Sequence, residues 1–172
     1  MKKVAIIQSS YIPWIGYFDL ISSVDEFIIY DSMQFTKRDW RNRNIIKTSQ
    51  GKQWLSIPVQ SKGKYFQSIY DTQIDGEKWQ KDHWKAISMN YAKAPFYEEI
   101  SMLIEPLYQS KYSHLSELNK IFILEICNYL DIRTHILDSS VYKVEGDRSE
   151  KLLDICIQSG ATSYVSGPSA KE

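Results

Sequence analysis

Val4-Ala5-Ile6-Ile7-Gln8-Ser9-Ser10-Tyr11-Ile12-Pro13-Trp14-Ile15-Gly16-Tyr17-Phe18 opens with an apolar, β-branched run, passes through a polar turn and enters a second element. Four apolar residues are too few for a helix, and with no polar alternation they predict a strand buried on both faces. Pro13 suits the first turn of a helix, which is expected to run to about Ser22. Glu26-Phe27-Ile28-Ile29-Tyr30 repeats the strand signal and ends at Asp31. Strand, short helix and strand predict an α/β fold, a single Rossmann-like domain with a mostly parallel sheet.

The rest of the sequence extends this plan. Asn44 to Thr48 and Gln53 to Val59 read as a hairpin about Gln50-Gly51-Lys52, with Pro58 at an edge or strand end. Apolar spacing predicts helices over 78–91, 96–108, 113–130 and 147–159, and strands over 134–137 and 163–166. The hairpin and helices at about 44–131 form an insertion within one domain covering 1–172, a length that suits a single core. Gly167-Pro168-Ser169 resembles a strand-to-helix turn, so the fold is expected to be truncated at its C-terminus.

Composition removes several function classes. Twenty-one basic residues balance 21 acidic ones, which gives no general field for a nucleic-acid backbone or an anionic membrane. No apolar run approaches the ~18 residues of a membrane span, and the N-terminus lacks the pattern of a secretory signal. Cys127 and Cys156 are too few for a disulfide framework, and with His83, His114 and His135 they form no metal-ligand spacing. A cytoplasmic protein with no metal site is expected, and no motif names a cofactor. Cys127 falls on an apolar helix face, where a cysteine belongs to a core.

Three segments hold the candidate chemistry. The first, with Gln8, Tyr11, Trp14 and Gly16, lies at the carboxyl end of the first strand, where open α/β sheets bind ligands. It has neither a Gly-rich dinucleotide fingerprint nor a P-loop. In the second, Lys37, Arg38, Arg41, Arg43 and Lys47 face one carboxylate, Asp39, leaving a local excess of four charges. Arg and Lys there suit a phosphate, Asn44 suits sugar hydroxyls, and Gln34 and Trp40 lie among them. A solvated charged face is the other reading of that run. The third is Trp79-Gln80-Lys81-Asp82-His83-Trp84, where His83 is the candidate general acid or base, with Asp31 as its rival. Ser166, Gly167 and Ser169 offer a further phosphate-cradling turn or an ordinary loop.

Several multi-residue stretches recur here in one order. They are Ile7-Gln8 through Tyr11-Ile12-Pro13-Trp14-Ile15-Gly16-Tyr17-Phe18, then Tyr30-Asp31 with Gln34, Thr36-Lys37-Arg38, Trp40 and Asn42-Arg43-Asn44. Trp54-Leu55-Ser56-Ile57-Pro58-Val59, Trp79 with His83, Tyr91-Ala92-Lys93-Ala94-Pro95-Phe96 and Tyr164-Val165-Ser166-Gly167-Pro168-Ser169 follow. Together they resemble the WbqC-like family across essentially the whole chain. Ser9-Ser10 depart from the Pro, often followed by Asn, that the family carries after the glutamine, and its members run on for some tens of residues past the last turn.

The resemblance implies a bacterial protein of O-antigen or other surface-glycan synthesis. The expected activity is group transfer onto an amino or hydroxyl group of a nucleotide-activated sugar or amino sugar. In this reading Lys37, Arg38, Arg41 and Arg43 hold the diphosphate, Trp14 or Trp40 stacks on base or sugar, and His83 or Asp31 moves the proton. The competing expectation is a non-catalytic nucleotide- or carbohydrate-binding module in a glycan-assembly complex. Nucleic acid is not an expected partner.

Overall fold

The computed structural model describes residues 1–167. Four strands, β1 (Lys3–Ile7), β2 (Glu26–Ile29), β5 (His135–Asp138) and β6 (Ser163–Val165), form one parallel sheet in the order β5-β2-β1-β6. A separate antiparallel hairpin comprises β3 (Arg43–Thr48) and β4 (Gly51–Ser56). The helices are α1 (Ile15–Ser22), α2 (Lys78–Tyr91), α3 (Tyr97–Gln109), α4 (Leu115–Tyr129) and α5 (Arg148–Gln158). The expected Rossmann-like α/β architecture is present.

Both central strands are buried on both faces, which accounts for their unbroken apolar sequences. Ala5, Phe27 and Ile29 point to α1 and α4, packing with Tyr17, Phe18, Ile21, Ile123 and Cys127. Their alternate neighbours Val4, Ile6, Ile28 and Tyr30 point the other way, to Ile155 of α5. Cys127 therefore belongs to the core, and burial pushes its thiol up to about 11. The segment between β2 and β5 builds a further core from Phe35, Leu55, Ile57, Ile69, Trp79, Leu107 and Tyr108, which Tyr11 of the β1–α1 turn joins.

Helix α4 belongs to both bodies. Leu115, Leu118 and Phe122 pack into the inserted core, whereas Ile123 and Cys127, further round and along the helix, pack on the sheet. Two differences from expectation concern the hairpin. Thr48 pairs with Gly51, so the turn is the tighter Ser49-Gln50, and Gly51 takes φ +107°, a value L side chains rarely adopt. Strand β4 ends at Ser56, so Pro58 lies outside it and its carbonyl accepts from the Asp75 amide at 2.9 Å.

Phe122 is fully buried, edge-on to Tyr11 at 5.9 Å and Tyr108 at 5.4 Å between centroids. Phe122→Ala is expected to cost about 3–5 kcal/mol in urea unfolding. A loss under about 1 kcal/mol would mean that α4 does not join the two cores.

Candidate functional site

The β1–α1 turn is held by two neighbouring elements. Asp31, fully buried just past β2, accepts from the Ser9 amide at 2.8 Å and the Ser116 hydroxyl of α4 at 2.6 Å. Asn119, one turn further along α4, donates to Ser9 Oγ at 3.0 Å and to the Arg41 carbonyl at 2.9 Å. Arg41 closes the assembly, donating to Gln8 Oε1 at 2.7 Å, Ser10 Oγ at 2.6 Å and the Ser9 carbonyl at 3.2 Å. Asp39 stands 3.9 Å from the Arg41 Nε. Burial raises the Asp31 carboxyl above its usual range, opposed by its bonds to Ser116 and Ser9 and by the Arg41 charge.

The other half of the turn is strained. Ile12 sits at φ +43°, an outlying value for a β-branched residue. The Asn44 amide holds it there, donating to the Tyr11 carbonyl at 3.0 Å and to the Ile12 carbonyl. The Tyr11 amide in turn donates to the Trp40 carbonyl at 3.0 Å. Beyond this bend Pro13 is buried and Trp14 projects outward, 64% exposed. Gly16 is what lets the indole fold back over the start of α1, because a Cβ at that position would lie 2.4 Å from Trp14 Nε1.

A cleft of about 370 Å³ results, lined by Ser10, Pro13, Trp14, Trp40 and Asn44. Trp40 is also exposed and lies 5.6 Å from Trp54 between ring centroids, tilted at 35°; the Arg43 guanidinium sits 4.0 Å from the Trp54 ring centroid. Large exposed indoles beside a few polar groups make a surface suited to flat rings, whether sugars or bases. Lys37 and the left-handed Arg38, φ +60°, are exposed on the loop that carries Trp40. Gln34, also exposed, donates to the Tyr65 carbonyl at 2.8 Å.

The structure thus brings Ser10, Trp14, Trp40 and Asn44 together and turns Arg41 inward. Gln8 lines a different crevice with Ser166 and Gly167, on the opposite side of the turn. Ser169 lies outside the described residues. Tyr11 is fully buried, its hydroxyl hydrogen-bonded to His83 Nδ1 at 2.9 Å and to the Tyr108 hydroxyl. His83 packs 5.2 Å from Trp79 between ring centroids, so the face these two share points into the core. Neither His83 nor Asp31 lines the tryptophan cleft. Sequence reasoning missed Ser116 and Asn119 as partners of the turn; their spacing of three on α4 is the only local signal, and a common one.

Burial pushes His83 down to about 4, outweighing the upward effects of the Ser56 backbone and Asp82. The folded chain therefore keeps the imidazole neutral, whereas an unfolded one takes up a proton near pH 6.5. The stability this gives is complete above that pH and is lost as pH falls through about 4. The His83 ring resonances are expected to show a neutral imidazole at pH 5 by NMR, and His83→Gln to lose less stability than wild type between pH 7 and 4. A ring titrating near 6.5, with parallel stability curves, would contradict the burial account.

The model of the WbqC-like protein family matches residues 8–172. The uncharacterized protein Rv1507c of Mycobacterium tuberculosis is 54% identical over 172 residues, covering 99% of this chain and 74% of that one. No solved structure matches. The matched residues run from the strained β1–α1 turn through the tryptophan cleft and both cores, and the chain belongs to the WbqC-like protein family.

Proposed function

We propose that the chain acts on a nucleotide-activated sugar or amino sugar in bacterial surface-polysaccharide synthesis, by group transfer onto an amino or hydroxyl group. The observation that carries this reading is the cleft in which Trp14 and Trp40 stand exposed beside Asn44 and Ser10. A base or sugar ring stacks on the indoles, with the Ser10 hydroxyl lining the cleft; the Asn44 amide is taken by the Tyr11 and Ile12 carbonyls and shapes the wall. Lys37 and Arg38 are exposed on the loop that carries Trp40, and they serve the phosphates; Arg41 directs its donors to the turn. Arg43 supports the wall through Trp54.

A second reading is favoured by the burial of Asp31 and His83. Both are tied into the interior, so neither stands ready to exchange a proton with a ligand in the cleft. The same cleft then belongs to a non-catalytic module that presents its ligand to a partner enzyme. Turnover separates the two, because a bound nucleotide sugar that is never converted in the presence of acyl, amino or glycosyl donors belongs to a module.

Calorimetric titration with nucleotide sugars and free amino sugars tests the cleft. At least one nucleotide sugar is expected to bind, with Trp14→Ala and Trp40→Ala each weakening it about tenfold, the scale of one lost stacking contact. Binding that survives both substitutions unchanged, or no binding by any member of the panel, would overturn the proposal.

A further inference from the structure

The pairing of β1 with β6 ends at Ala5 and Val165, whereas β1 continues beside β2 to Ile7. Past the last pair a crevice of about 220 Å³ opens at the carboxyl ends of the strands, lined by Ile7, Gln8, Tyr30, Arg148, Ser166 and Gly167 among others. In open parallel sheets this is where ligands enter, between strands whose connections leave in opposite directions.

Two features of the walls point to an anion. Tyr30 is 4% exposed, and its hydroxyl has no hydrogen-bond partner among the described residues. An unpaired buried hydroxyl is costly, and a ligand acceptor in the crevice would satisfy it. Arg148, the first residue of α5, is exposed and in no ion pair among the described residues. Its charge reaches the Tyr30 phenol, drawing it down against the upward push of burial. The amides of Ser149 and Glu150 are taken by the Asp147 carboxylate, so side chains rather than the helix terminus face the ligand. Glu150 lines a different cleft, with Lys143 and Asp154.

We propose that this crevice binds a phosphate group of a phosphorylated small molecule, with Arg148 forked on the anion, the Tyr30 hydroxyl donating from below and Ser166 closing the side. It is a second site, divided from the tryptophan cleft by the turn at residues 8–10, and it stands whether or not that cleft takes a sugar.

The test is calorimetric and ³¹P NMR titration of the full chain with inorganic pyrophosphate. Saturable binding is expected, weakened at least about tenfold in Arg148→Ala, because a charge-assisted fork is lost. Tyr30→Phe should weaken it severalfold while leaving the melting temperature unchanged or higher, since it deletes an unpaired group. Failure of wild type to bind, or wild-type affinity in both variants, would overturn the proposal. Loss of binding confined to Lys37→Ala and Arg38→Ala would also overturn it, moving the anion to the basic loop and leaving the proposed function standing.

Discussion

The Asp31 carboxylate, buried at the end of β2 and bound to the Ser9 amide and the Ser116 hydroxyl, is the contact on which the rest of the site depends. It joins three pieces of chain that sequence keeps far apart: the turn after β1, the exit of β2 and the start of α4. A buried carboxylate is tolerable only when its oxygens are paired, so this arrangement fixes all three at once. Arg41 supplies the opposite charge, and by spending its donors on Gln8, Ser9 and Ser10 it locks the turn from the outside. The two clefts flanking the turn inherit their shape from this polar network.

Rigidity explains the tension in the same segment. Ile12 at positive φ is a conformation its side chain resists, and it persists because Asn44 ties both carbonyls of the bend. Strain of this kind collects where a protein must present a group it would otherwise bury, here the Trp14 indole. Gly16 completes the device by leaving room for that indole. The tyrosine and histidine cluster beneath, from Tyr108 through Tyr11 to His83, is a packed and hydrogen-bonded floor, with an imidazole held neutral by burial.

Much of the fold was legible in the sequence because its signals are local. The β-branched runs at Val4 and Phe27, the long apolar face at 115–129 and the Gly-bearing hairpin each carry a period or a turn residue that physics reads directly. The strand order was not, since β2 pairs with β5 across more than a hundred residues and no local period encodes a partner. The site divides in the same way. Trp14 stood out at the entry to the first helix, and Trp40 and Asn44 within the basic segment. Arg41 looked like its neighbours Arg38 and Arg43, yet three environments resulted: a locked turn, open solvent and an indole face. Charge patterning counts cations and does not say which of them turn inward. Tyr30 and Arg148 lie on different elements and meet only through the sheet.

The most direct test of the central claim uses the five indoles as built-in probes. In a ¹H–¹⁵N spectrum of the full chain titrated with a nucleotide sugar, the account predicts progressive shifts of the Trp14 and Trp40 indole N–H signals, with Trp54 following through its contact with Trp40. Trp79, buried in the inserted core, should stay still. A nucleotide sugar that saturates the protein without moving Trp14 or Trp40 would contradict it.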